Sequence, residues 1–327
     1  MDLLSTHADS MGHLVQLNLA NAESSQLSLT DSLVRQGELS LLKEDLSAAF
    51  ELFDQAVCAA PADPKLFFRQ GLALFDYGSQ EGKEKTLLQA AKKFKEALTI
   101  KPDYFDAWHL WGKTLYLLGT SFREHHYFLN AQKNLHHAVY FSSEQPKEVL
   151  VDLFWDCGIV YSKLAEYSGE ILELQLAIEA FQKCTALQEL LPSDFWVDFG
   201  QACLQLALRV NDVRFYVKAI NYFKQSTSIC ASCFKSWHSL AIAFKMLYTH
   251  THDEDHFQQA NECFTTAAQL KSQDSSLWLE WAQFLVDSGR RNQNIKRLRS
   301  SIEKAHHAYV CDPKQPLSLI LWAEALA

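Results

Sequence analysis

One small residue recurs at a nearly constant interval through most of this chain: Gly37, Gly71, Gly112, Gly158, Gly200, Ala241, Ala282 and Ala323, at spacings of 34, 41, 46, 42, 41, 41 and 41 residues. Each of the first seven is followed by a second small residue (Ala49, Ala90, Ala131, Ala177, Ala219, Ala260, Ser301), 12 residues on in the first case and 19 in the others. Four residues later stands a large apolar side chain, Phe53, Phe94, Leu135, Phe181, Phe223 or Phe264, with Ala305 the exception. Three further on comes Ala56, Ala97, Ala138, Cys184, Ser226, Ala267 or Ala308. A period held in phase over seven units requires similar units stacked side by side, each burying its apolar flank on its neighbour.

Helix geometry explains the pattern. Residues three and four apart share a helix face, so small residues at fixed positions let two backbones approach closely and the large side chain four residues on fills the space between them. Residues 107–146 show the unit plainly: Trp108, Trp111 and Leu115 mark one amphipathic helix, and Ala131, Leu135 and Ala138 mark the next. All seven prolines, Pro61, Pro64, Pro102, Pro146, Pro192, Pro313 and Pro316, fall between units. None therefore sits in a helix interior, where proline costs about 3 kcal/mol.

These residues resemble the tetratricopeptide repeat (TPR), whose signature is W-x2-L-G-x2-Y, then A-x3-F, then a small residue and a closing proline. The first unit has the 34-residue period, with Gly37, Ala49, Phe53, Ala56 and Pro61 in the family's slots. Later units depart from it by seven extra residues between their helices. Seven residues are close to two helical turns and keep the apolar face within about 20°, so the insertions predict longer helices joined by tight turns. Ser121-x-x-Glu124 and Thr251-x-x-Glu254 read as capping boxes at the new helix starts. The resemblance implies an all-α, right-handed TPR-type superhelix of about seven helical hairpins plus a partial eighth. The expected organisation is an N-terminal leader or cap over 1–28, then a superhelix over 29–327 with repeats at about 30–63, 64–104, 105–150, 151–192, 193–233, 234–274, 275–315 and 316–327. The last of these, PLSLILWAEALA, is almost wholly apolar. It packs on the seventh repeat, joins a second subunit, or continues into further chain.

Composition limits the function classes. A net charge of −9 and a pI near 5.8 argue against general nucleic-acid binding. The first residues lack the basic and apolar regions of a secretory signal, and no window approaches the roughly 18 apolar residues of a membrane span. Eight cysteines, mostly at apolar helical positions, read as buried thiols in a reducing cytoplasm.

Catalytic motifs are absent: there is no G-x-S-x-G, no glycine-rich phosphate loop and no H-E-x-x-H. The expectation is a protein that is no enzyme and takes no cofactor or metal. Cys230-Ala-Ser-Cys233 is open to two readings, a redox or zinc half-site or a substitute for the boundary proline with one thiol buried. His252 and His256 stand at i, i+4, a weak chelate in isolation, and the HH pairs 125–126, 136–137 and 306–307 point apart on a helix. Arg290, Arg291, Lys296, Arg297 and Arg299 form a basic run that reads as a solvated turn and outer helix face.

In proteins similar to this one, the first helix of each unit lines a groove that holds partner peptides. Carrying that phase onto this chain selects Lys65, Phe68, Leu72, Phe75, His109, Lys113, Tyr116, Trp155, Ile159, Gln201, Lys235 and His238, in a stripe that also holds Asp31, Val34, Glu38, Asp106 and Val197. Trp155 is one residue out of phase with the other seven tryptophans, which read as repeat core. Phe68, Phe75, Tyr116 and Trp155 are the expected anchors of a docked segment. The resemblance implies a protein-protein interaction scaffold; the alternatives are a chaperone of the type III secretion kind, a nucleic-acid-binding helical repeat, and self-association through 316–327. Val34 and Glu38 replace the first Lys and Asn of the clamp that grips acidic chaperone tails, which argues against that partner.

Overall fold

The computed structural model describes residues 29–43, 45–314, 316, 319, 320 and 323. The leader over 1–28 and most of 316–327, Trp322 included, lie outside the described residues. Among those described, all regular structure is helical. The helices are α1 (Leu29–Leu42), α2 (Leu46–Ala59), α3 (Pro64–Glu81), α4 (Glu84–Ile100), α5 (Phe105–Phe122), α6 (His125–Tyr140) and α7 (Lys147–Ser168). They continue with α8 (Ile171–Leu187), α9 (Ser193–Val210), α10 (Val213–Ile229), α11 (Phe234–Thr251), α12 (Glu254–Leu270), α13 (Ser275–Arg291) and α14 (Ile295–Cys311). The chain forms two compact units that divide after Gly169.

In the first unit α1–α2, α3–α4 and α5–α6 are helical hairpins, with α7 packed on α6. In the second, α8 packs on α9, and α9–α10, α11–α12 and α13–α14 are hairpins. The recurrent residues build their interior: Ala49, Ala90, Ala131, Ala219, Ala260 and Ser301 are all fully buried, and so are Ala56, Ala97, Ala138, Ser226, Ala267 and Ala308. The marker glycines are where the backbones close. A Cβ on Gly37 would lie 2.5 Å from Phe53 Cε1, on Gly71 2.7 Å from Phe94 Cε1, and on Gly112 2.9 Å from Leu135 Cδ2 and 3.3 Å from the Ala131 carbonyl oxygen. A second close approach follows seven residues later, where Gly78, Gly119 and Gly289 meet Leu87, Phe128 and Leu298.

The seven added residues enter as helix. α1 and α2 have 14 residues each, whereas α3 and α4 have 18 and 17, so the first helix gains four and the second three. The turns between are two residues long at 82–83, 123–124, 211–212 and 252–253. Each turn contains one residue in the left-handed region: Gly82 (φ 61°), Arg123 (56°), Asn211 (55°) and His252 (56°), with Gln293 (49°) in the α13–α14 turn.

Neither expected capping box forms. α5 and α11 run on through Ser121 and Thr251, so the helix starts fall later. Glu124 caps α6 without a side-chain hydrogen bond. Asp253 caps α12, its carboxylate accepting from the Asp255 N–H. Asp45, Asp63, Asp212, Asp274 and Asn294 cap α2, α3, α10, α13 and α14 in the same way.

Candidate functional site

Within each unit the first helices of successive hairpins pack side by side in a row. In the first unit α1 packs on α3, α3 on α5 and α5 on α7; in the second α9 packs on α11. Side-by-side helices bring their like faces together, and on these faces charges meet across helices.

In the first unit Arg69 of α3 reaches back to α1, with Nη1 2.9 Å from Asp31 Oδ1 and Nη2 3.3 Å from Glu38 Oε1. Asp156 of α7 reaches back to α5, where His109 Nε2 lies 2.8 Å and Lys113 Nζ 3.4 Å from its Oδ2. Asp76 of α3 sits between these two groups. Burial, reinforced by the Glu38 charge and opposed by Lys113, pushes its carboxyl up to about 7. Burial also raises Glu38, against the pull of Arg69, and raises Asp106, against that of His109.

The second unit repeats the arrangement. Lys235 Nζ of α11 lies 3.3 Å from Asp198 Oδ1 of α9, and His238 Nε2 lies 3.7 Å from Glu280 Oε2 of α13. Burial works to raise the Glu280 carboxyl, but His238 and Lys245 outweigh it and hold it below the usual range.

The twelve expected groove residues fall into three classes. Lys65 and Gln201 are exposed; Phe68, Leu72, Lys113, Tyr116, Ile159, Lys235 and His238 are half-buried; Phe75, His109 and Trp155 are buried. Phe75 and Trp155 are therefore corrected as protruding anchors, at 4% and 5% exposure. The reason is that their helices are covered on more than one side. Residues 155–158 of α7 are buried in succession, which leaves no free face at that level, and on α3 the adjacent Leu74 and Phe75 are both buried. Val34 and Val197 of the same stripe are buried too. Phe68 fills a seam, its ring 5.9 Å from Phe94 and 5.0 Å from Tyr104. The Tyr116 ring rests 6.0 Å from Phe128, and His238 lies between Phe234 at 5.3 Å and Phe264 at 6.4 Å.

The other tryptophans are less buried than expected. Among the described residues Trp108, Trp111, Trp196 and Trp237 are half-buried, and only Trp278 and Trp281 join Trp155 in the interior. One phase has a role the periodicity does not show. The indole Nε1 of Trp108 donates to the Pro102 carbonyl (2.8 Å), that of Trp237 to Ala231 (2.8 Å) and that of Trp278 to Ser272 (2.7 Å), each six residues upstream in the loop that enters the helix. These tryptophans latch the inter-hairpin loops.

Histidines serve as local partners. His136 hydrogen-bonds the Tyr161 hydroxyl, His250 Nε2 lies 3.0 Å from the Tyr216 hydroxyl, His252 Nδ1 meets Arg291 at 2.8 Å and His256 Nδ1 meets the Thr251 hydroxyl at 2.8 Å. Among the described residues no three His, Cys, Asp or Glu side chains gather as a metal site would need. In the basic run Arg297 is half-buried, stacked 3.6 Å from the centre of the Phe257 ring and paired with Glu254, while Arg290, Arg291, Lys296 and Arg299 are exposed. Cys230 and Cys233 are both half-exposed, so neither is the buried thiol of the structural reading.

The groove phase holds Asp31, Glu38 and Asp106 but missed Arg69, Asp76, Asp156, Asp198 and Glu280. Arg69, Asp156, Asp198 and Glu280 each precede a marker small residue by two, one position round the helix from the predicted stripe. With Arg35, two before Gly37, a charge stands at that phase in five units, and this was the available signal.

No protein-family model matches the chain, and no curated protein matches it by sequence. Solved structures do. The C-terminal part of a TPR repeat-containing protein from Cytophaga hutchinsonii superposes with a TM-score of 0.59 at 13% identity, covering 88% of this chain and 98% of that one. The anaphase-promoting-complex hetero-tetramer Cut9-Hcn1 gives 0.55 at 16% identity, over 96% of this chain and 52% of that one. PilW, a type IV pilus biogenesis factor, gives 0.51 at 15% identity, over 77% and 98%. The chain has the fold of the tetratricopeptide repeat proteins, an α-solenoid of helical hairpins. Among the described residues, no helix is long and apolar enough to cross a membrane.

Proposed function

We propose that the chain is a non-catalytic protein-interaction scaffold in which the inner helix row receives a segment of a partner protein. The observation that carries this reading is the side-by-side packing of α1, α3, α5 and α7, and of α9 and α11, which puts like faces of successive helices on one side of each unit. The twelve groove residues then divide by role. Phe68, Leu72, Tyr116 and Ile159 are the half-buried apolar contacts, while Phe75 and Trp155 belong to the interior. Lys65, His109, Lys113, Gln201, Lys235 and His238 supply polar edges, four of them already oriented by carboxylates of neighbouring helices. Pre-oriented charge lowers the ordering cost of binding, and a few apolar contacts carry most of the affinity.

Affinity capture with quantitative mass spectrometry tests the reading. Proteins enriched by the native chain should be lost with Leu72→Arg and Tyr116→Ala, and kept with Tyr140→Ala at the exposed end of α6. An identical captured set for all four chains, each with native helical circular dichroism, would overturn it.

A further inference from the structure

We propose that Cys230 and Cys233 form a reversible intramolecular disulfide, making the α10–α11 turn a thiol-oxidation site.

The two cysteines stand at the two ends of one tight turn. Cys230 is the residue that closes α10 and Cys233 the one that opens α11. The Cys233 N–H donates to the Cys230 carbonyl at 3.2 Å, so they are the first and fourth residues of a hydrogen-bonded turn. The ends of such a turn lie within about 7 Å of each other at Cα, and a disulfide spans Cα separations of about 4.4–6.8 Å. The turn is held from outside as well, because the Trp237 indole donates to the Ala231 carbonyl between the two cysteines. Ser232 supplies a hydroxyl 3.6 Å from the Cys230 sulfur. The hydrogen-bonded turn therefore already holds the two backbones at about the separation a disulfide spans.

Exposure separates this pair from the other cysteines. Cys157, Cys184, Cys203 and Cys263 are buried, and burial pushes the Cys203 and Cys263 thiols up to about 12, which withholds the thiolate that exchange requires. Cys58 is exposed and Cys311 half-exposed, on α2 and α14, where no turn joins either to a second cysteine. Cys230 and Cys233 are both accessible and adjacent.

The oxidant class is a low-molecular-weight disulfide such as glutathione disulfide. One cysteine thiolate attacks a sulfur of glutathione disulfide, forming a mixed disulfide and releasing one glutathione thiolate. The second cysteine thiolate attacks the protein sulfur of that mixed disulfide and expels the other glutathione. Two protein thiols are oxidised, one glutathione disulfide is reduced to two glutathiones, and the two cysteine protons pass through solvent to the departing thiolates. The closed ring fixes the entry to α11, and with it Lys235 and its contact to Asp198.

Full-length protein is equilibrated at graded ratios of glutathione to glutathione disulfide, quenched in acid, alkylated and digested with trypsin. Cleavage after Lys224 and Lys235 places both cysteines in one peptide, residues 225–235. As the oxidised form increases, that peptide should lose two hydrogens, escape alkylation, and recover with dithiothreitol, while circular dichroism stays native. In Cys230→Ser and Cys233→Ser the remaining thiol should carry glutathione instead. Persistent double alkylation at the most oxidising ratio would overturn the proposal. So would glutathione adducts without hydrogen loss in the native chain, or hydrogen loss seen only after denaturation.

Discussion

Gly200 of α9 lies so close to Phe223 of α10 that a methyl group on its Cα would sit 2.5 Å from ring atom Cε1 and 2.9 Å from Cζ. Phe223 is fully buried and cannot swing aside. Gly200→Ala should therefore destabilise the second unit by about 1–3 kcal/mol, the usual cost of overpacking, read as a lower urea midpoint. A midpoint equal to the native one would mean that the helices spread freely.

Arg123 occupies the left-handed turn of the α5–α6 hairpin at φ 56°, where glycine stands in the α3–α4 hairpin. L-residues other than glycine are strained there by about 1 kcal/mol or more. Arg123→Gly should leave stability unchanged or raise it by up to about 1 kcal/mol after the larger chain entropy of glycine is counted, whereas Arg123→Ala should bring no gain. Thermal melts of the two variants distinguish the outcomes.

Trp237→Phe keeps an aromatic ring but removes the donor to the Ala231 carbonyl. The expected loss is about 1 kcal/mol, the ordinary net worth of one hydrogen bond. Local loosening should appear as faster amide exchange at Cys233, whose N–H closes the same turn.

Asp76 gives the first unit a signed pH dependence. Burial pushes its folded carboxyl up to about 7, well above the ordinary aspartate value, so between about pH 4 and 7 the folded state holds a proton that the unfolded chain has released. Its contribution to stability is complete below the unfolded value and is lost as pH rises through 7. Asp76→Asn should match the native chain near pH 4 and exceed it at pH 8 by on the order of 2 kcal/mol, allowing for partial water access. Parallel stability curves for the two proteins would refute this account.

Asp156 joins His109 and Lys113 at a side-chain exposure of 11%. Asp156→Ala leaves a half-buried ammonium and an imidazole without their carboxylate, and should cost roughly 3 kcal/mol. Adding Lys113→Met should restore part of the loss, a coupling that a double-mutant cycle in urea measures directly.

The residues that pack were legible in the sequence because burial repeats with the unit. Gly37, Gly71, Gly112 and Gly200, with the alanines and phenylalanines phased to them, occupy the close-packed seams. The turns were less legible: one residue per hairpin is left-handed, but it is Gly82 in one case and Arg123, Asn211, His252 or Gln293 in others. The short connection between long helices imposes that conformation, so residue type does not mark it. The inner face was harder still. A helical stripe can be read only to within about one position, or 100°, and that offset separates Phe75 and Trp155 from their neighbours Asp76 and Asp156. Periodicity places a side chain on a helix but does not reveal how much of that helix its neighbours cover.

The four extra residues in each of α3 and α5 change the relief of the first unit's wall. At about 1.5 Å per residue, α1 stands about 21 Å tall, and α3 and α5 about 27 Å. The wall of the first unit therefore has a step of one helical turn after its opening hairpin, and Gly78 and Gly119 bring the partner helices close at the level of that upper storey. A ligand lying along the ledge would grip the second and third hairpins while passing clear of the first.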